Sequence, residues 1–167
     1  MDASDRPEAN QRATQEAARV VAFLNDYYTI CFLDPSRWHG GTHPDLAGLF
    51  SPEARAAATR DLQALALADL APKLKRVEAT RQEASRVSVL MEQNLDASLA
   101  IVSAAFEGTG QPVAAGEGPV KIEHTATFLL TKEANAFKIS AYDVTLKADT
   151  TARAAAFGKP AQAWPET

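Results

Sequence analysis

Apolar residues at Ala17, Val20, Val21, Leu24, Tyr28 and Cys31 follow the i, i+3, i+4, i+7, i+11, i+14 spacing of one helical face, which predicts a long first helix over about 11–32. Asp34-Pro35 ends it, and the run SRWHGGTHPD that follows has the glycine and proline punctuation of a structured loop. Ser51-Pro52-Glu53 then sets out an N-cap, a proline at the first helical position and an acid in the first turn. With Ala54, Ala58, Leu62 and Leu65 on one face, a second helix is expected over about 52–71, closed by Pro72. Past residue 75 the period moves from 3.6 towards 2. Val87, Val89 and Met91 alternate with polar or mixed neighbours, Gln93-Asn94-Leu95-Asp96 turns the chain, and 98–106 returns as an apolar strand. The segment 76–86 reads equally as strand or helix. Residues 108–119 hold four of the eight glycines and read as a flexible loop, after which 120–131 and 136–146 form a hairpin around 132–135. No sustained period runs through 1–10 or 149–167, so a disordered arm and a flexible tail flank a domain over 11–148. Phe157 and Trp164 in that tail either dock or stay loose.

Composition narrows the partners. The chain has 167 residues, enough for one domain, and 17 Lys+Arg against 21 Asp+Glu give a net charge of -4 with both signs interspersed. No basic face points to nucleic acid and no polybasic segment to anionic lipid. One cysteine and three histidines rule out a disulfide framework and the usual cysteine-based zinc sites. Alanine is abundant, 34 residues of 167, and fills so little volume that the helices could leave a cavity or simply pack closer to a sheet. Residues 1–16 are polar, and no stretch approaches the roughly 20 apolar residues of a membrane helix. No direct membrane insertion is expected. The chain taken by itself reads as cytoplasmic, and as a cell-envelope protein if an N-terminal signal or anchor was removed.

Helices followed by antiparallel strands ending in a long hairpin give an α+β order in which a curved sheet wraps helices. The segment 124–148, with Phe137, Ile139, Tyr142 and Val144 after a polar turn, is similar to the closing hairpin of NTF2-like (SnoaL-like) domains. The front segment 23–50, with its DPSRW, resembles an uncharacterised actinobacterial, envelope-associated group of that superfamily. The resemblance covers about 15–148. It implies a cone, with N-terminal helices packed in a strongly curved antiparallel sheet around a pocket. It does not select a function, because the fold hosts isomerases, dehydratases, hydrolases, transport adaptors and envelope scaffolds alike.

The hairpin supplies the sharpest chemical expectation. A loop at 132–135, or a two-residue loop at Glu133-Ala134, sets Leu130 opposite Phe137, Phe128 opposite Ile139, Ala126 opposite Ala141 and His124 opposite Asp143. The face is otherwise apolar, so a His and a carboxylate would meet at the pocket mouth. There Asp143 would fix the tautomer of His124 and raise its pKa, equipping it as a general base or an oriented donor. The alternative is a cross-strand pair that only satisfies two polar groups. Family enzymes commonly add a helix tyrosine to such a cavity, and Tyr28 is the matching candidate. Val21, Leu24, Ala126, Phe128, Ile139 and Ala141 would line the pocket. No second carboxylate converges on His124.

Other motifs read more simply. His39, His43 and Asp45 in the Trp38 loop invite a metal, but the spacing is not a helical HxxxH, and a glycine-bearing loop anchored by Trp38 explains them; no metal and no cofactor is assigned. Gly40-Gly41 and 108–118 lack the context of a phosphate-binding loop. Cys31, on the buried stripe, is a small core residue with no base partner. Leu90, Leu99, Ile101 and Leu129 would leave apolar side chains on the outer sheet face, which suggests a homodimer through that face. The preferred reading is a non-enzymatic accessory or binding domain with room for a small apolar ligand. Two others stand beside it: a cofactor-independent enzyme using His124, Asp143 and Tyr28, and a scaffold subunit of an envelope complex. The enzyme needs a water-accessible cavity reaching His124, whereas the scaffold predicts a filled cone.

Overall fold

The computed structural model describes residues 5–91, 97–133 and 135–159. A long helix α1 (Asp5–Tyr28) and two shorter ones, α2 (Pro52–Arg60) and α3 (Leu62–Leu65), precede strands β1 (Leu74–Met91), β2 (Ala97–Pro112), β3 (Val120–Glu133), β4 (Ala136–Ala148) and β5 (Thr151–Phe157). The strands form one open, curved antiparallel sheet of order β1-β2-β3-β4-β5, compatible with a cone. The architecture is therefore α+β, with α1 against β1 and β2 and α3 against β4 and β5.

Along α1, Val20, Leu24, Tyr27 and Tyr28 recur at helical spacing and are buried against the sheet. Val21, expected to line a pocket, is 40% exposed. One residue on from Val20 it sits about 100° further round the helix, outside the narrow stripe. The helix runs on as a π-helical turn, Thr29–Leu33, that buries Cys31 and Phe32 together. At the other end α1 includes residues 5–10, part of the expected arm. Residues 1–4, the segment 92–96 with its expected turn, Ala134 and Trp164 lie outside the described residues.

The second helix is shorter than its apolar period predicts. It stops at Arg60, where Asp61 leaves helical geometry (φ -99°, ψ 15°) and its carboxylate accepts from Arg60 (2.9 Å) and from the Tyr142 hydroxyl (2.6 Å). After α3 the chain becomes extended at Ala66, and the Leu67 N–H donates to the Cys31 carbonyl (3.0 Å) at the end of α1. The apolar run is thus divided because its second half must reach the π-helical turn.

Ser51 stands at the expected N-cap with Pro52 in the first turn, yet its buried hydroxyl has no hydrogen-bond partner, while its N–H donates to the Ile139 carbonyl (2.9 Å). An ordinary N-cap serine contributes about 1 kcal/mol. Here Ser51→Ala removes an unsatisfied buried group. The expected result in urea denaturation is unchanged stability or a gain of up to about 1 kcal/mol.

The ambiguous 76–86 segment belongs to β1, and β2 continues through the expected loop to Pro112 opposite Leu74. Gly108 explains why glycine appears there: an added Cβ would stand 2.8 Å from the Glu78 carbonyl oxygen and 2.9 Å from the Phe106 ring. Close approach, not flexibility, requires it. The segment expected to be a flexible tail also contributes structure, since residues 151–157 pair with β4 and Phe157 lies 6.0 Å from Tyr142.

Candidate functional site

The hairpin register departs from expectation in two steps. Pairing resumes with Glu133 opposite Ala136, after Asn135 at φ 68°, which moves the partners two positions along β4 and sets Leu130 opposite Ile139. A bulge between Leu129 and Leu130 then adds one residue to β4, so Leu129 meets Ala141, Phe128 meets Tyr142 and His124 meets Leu146. One extra residue exchanges the faces. Asp143 accordingly opposes Thr127 and is exposed on the outer face, while Tyr142 takes the inward position. The expected His124–Asp143 pair does not form. Ala141 is buried but opposes Leu129, outside the core cluster, so it lines no interior pocket either.

The structure does bring His124 and Tyr28 together. The Tyr28 hydroxyl and His124 Nδ1 are 3.2 Å apart, both side chains fully enclosed. With the hydroxyl donating, Nδ1 accepts and the ring proton sits on Nε2, which has no hydrogen-bond partner. Around the imidazole stand Phe32 (4.8 Å between ring centroids), Tyr28 (5.7 Å) and Tyr27 (6.2 Å), with Phe106 stacked on Tyr28 at 5.2 Å. His124 is 1% exposed. Burial pulls its pKa from 6.5 down to about 3, opposed only by a backbone interaction with Ala64. The direction is opposite to that expected from a carboxylate partner. Burial likewise pushes the Tyr28 phenol and the Cys31 thiol up, so each keeps its proton. A neutral, sealed His–Tyr pair of this kind orients side chains; it reaches no solvent with which to exchange protons.

Leu24, Phe128, Ala126 and Ile139, expected to line a pocket, are buried members of the hydrophobic core. Tyr27, Phe32 and Phe106 form its walls and were not singled out as site residues. Tyr27 next to Tyr28 at the end of an amphipathic stripe was the available signal, and its hydroxyl donates to the Leu65 carbonyl.

The second histidine cluster is a loop lock. Asp45 N–H donates to His43 Nδ1 (3.0 Å), which leaves Nε2 to donate to Asp34 Oδ2 (3.1 Å), and Arg37 holds Asp45 at 3.0 Å. Trp38 packs edge-on against His43 and donates to the Ile30 carbonyl (2.9 Å). Both nitrogens of His43 are engaged. His39 is exposed and bridged to Thr42, and among the described residues no group of three or more His, Cys, Asp or Glu is placed to hold a metal ion.

Two open grooves lie beside α1, away from the His124–Tyr28 cluster. They measure about 470 and 660 Å³ and share Phe23, Asp26, Ala136 and Phe137. In the first, Glu16 is only 2% exposed and pairs with Lys132 (3.2 Å) and Arg19 (3.5 Å). Neither groove includes His124 or Tyr28. No described helix is long and apolar enough to cross a membrane. Compared with family models, curated proteins and solved structures, the chain matches none.

Proposed function

We propose that the chain is an NTF2-like accessory domain that acts by association through the outer face of its sheet, forming a homodimer there, and not by turnover in its interior. One observation carries this reading: the only described His–Tyr constellation on the concave face is walled in by Tyr27, Phe32 and Phe106, and neither groove beside α1 reaches it. A SnoaL-like acid–base mechanism needs substrate in contact with the base. A binding or scaffold role needs a packed interior and a usable exterior. On the outer face Leu90 is 37% exposed and Leu99 and Leu129 are half-buried, although Ile101 is 6% exposed and offers less than its position suggested. A small apolar molecule, on this reading, sits in the exterior grooves over Phe23 and Phe137.

Two readouts test it. Small ring compounds such as phenol and indole are expected to leave the His124 and Tyr28 NMR signals unmoved while shifting Phe23 and Phe137, and Leu90→Lys is expected to weaken self-association in sedimentation. Saturable shifts at His124 overturn the sealed interior and return the enzyme reading; indifference to Leu90→Lys removes the outer face as the interface.

A further inference from the structure

The two edges of the sheet are built differently. β1 breaks register with β2 between Leu74 and Arg76, Ala79 and Arg81, Ala84 and Arg86, and Leu90 and Met91. It also carries the exposed ion pairs Arg76–Glu78 (3.3 Å), Arg81–Glu83 and Arg81–Glu107 (3.8 Å). Bulges and charges are the devices that keep a sheet edge from pairing with another chain. β5 has neither. Its seven residues, TARAAAF, pair with β4 in unbroken register from Ala148↔Thr151 to Tyr142↔Phe157. Its one charge is spent within the chain, since Arg153 makes two 2.9 Å bonds to Asp69 and a third to the Gln63 carbonyl (3.3 Å). Ala152, Ala154 and Ala156 are exposed, and no described strand lies beyond β5.

We propose that β5 pairs antiparallel with β5 of a second copy, joining two five-stranded sheets edge to edge across a two-fold axis at Ala154. The strand's own sequence specifies both partner and register. Centred on Ala154, Arg153 faces Ala155, Ala152 faces Ala156 and Thr151 faces Phe157, so no like charges stand directly opposite, the diagonally placed Arg153 is held by its own Asp69, and every position of the strand is paired. Centring on Arg153 sets two guanidinium groups opposite each other; centring on Ala155 moves Ala152 opposite Gly158 and leaves Thr151 beyond the end of the strand. An isologous contact requires a self-complementary patch, and TARAAAF is one. The edge is separate from the outer face: side-by-side joining leaves both outer faces open and makes them continuous.

Ala154→Cys tests the register directly, because the one native thiol, Cys31, is buried. Residues directly opposite in an antiparallel pair have Cα atoms about 4.5–5.5 Å apart, within disulfide range. Mild oxidation of Ala154→Cys is expected to give mainly cross-linked dimer, and Thr145→Cys, one strand inward, mainly monomer. Ala154→Lys places two ammonium groups face to face on an exposed position. It is expected to raise the dimer Kd about fivefold or more in sedimentation equilibrium, with thermal unfolding unchanged. A wild type that is monomeric at high micromolar concentration, with no cross-link in Ala154→Cys, overturns the proposal. So does a dimer that Leu90→Lys dissociates while both Ala154 variants leave it intact, an outcome that keeps the outer-face reading. Cross-linking at residue 154 with indifference to Leu90→Lys supports the edge and discards the face.

Discussion

Between pH 6 and pH 4 the domain is expected to lose stability at about 1.4 kcal/mol per pH unit, and replacing His124 by Phe is expected to remove most of that slope. The folded imidazole has its pKa pulled from 6.5 to about 3, chiefly by burial. Above 6.5 both folded and unfolded states hold it neutral and the effect is zero. Below 6.5 the unfolded chain takes up a proton that the folded chain refuses, so the unfolded state binds more protons and stability falls as pH falls, down to about pH 3. The full span is of order 5 kcal/mol, a large share of the 5–15 kcal/mol typical of a domain. Carboxylates are kept out of the upper half of this window. Asp61, held low by Arg60 and Tyr142 against some burial, gives its full stabilisation above the usual carboxylate range and loses it only as the pH falls through that range and below, in the lower half of the window. His124→Phe leaves the Tyr28 hydroxyl without a partner, at a cost of about 1–3 kcal/mol at pH 7, so the variant is measured beside the Tyr28→Phe/His124→Phe double, which removes both polar groups. Urea unfolding from pH 7 to pH 4 gives the slopes. Equal slopes in the wild type and in both variants would mean that the imidazole titrates in the folded state as it does in solution, and that the sealed site is wrong.

How far the site was legible follows from where its geometry is decided. Val20, Leu24 and Tyr28 share a helical period, and that period alone brings Tyr28 inward. His124 shares the period-two face of Ile122 and Ala126 on β3, so its inward direction was equally readable. Their meeting, at 3.2 Å, needed only the two elements to pack. The partner on β4 could not be read in the same way, because a strand's period is two and a single bulge beyond Leu129 reverses every later residue. Nothing in Leu129-Leu130 or Ile139-Ser140-Ala141 announces that bulge. Its consequence is that Tyr142 points inward to Asp61 and Asp143 points away. The early end of α2 has a similar origin: Ala64 and Leu65 keep the helical spacing, but Leu67 is required by the Cys31 carbonyl, a tertiary demand that overrides local preference. β5 failed to register for the opposite reason. Ala-rich TARAAAF has low strand propensity, and its pairing is supplied by β4 and by the Arg153–Asp69 contact.

Phe32→Ala is expected to cost about 3–5 kcal/mol and, in the same variant, to weaken the acid slope. The Phe32 ring lies 4.8 Å from His124, 5.0 Å from Phe106 and 5.5 Å from Tyr28, between centroids, so its removal opens a hole against the imidazole. The lost packing accounts for the cost. What happens next depends on His124 Nε2, a buried polar atom without a hydrogen-bond partner. A dry hole is the rule when its lining is apolar, but water enters when two or more polar groups can hold it. Nε2 supplies one and the Tyr28 hydroxyl lies on the same ring's other side. Once water solvates the imidazole, its pKa climbs from about 3 back towards 6.5 and the stability lost per pH unit shrinks. The two substitutions are then coupled: His124→Phe is expected to cost less in the Phe32→Ala background, with an interaction of about 0.5–3 kcal/mol in a double-mutant cycle. Urea unfolding of the four proteins gives the cycle and histidine NMR gives the pKa. If Phe32→Ala is destabilised by less than about 1 kcal/mol, the ring does not seal the interior, and the space between the helices and the curved sheet has room for a ligand beside His124.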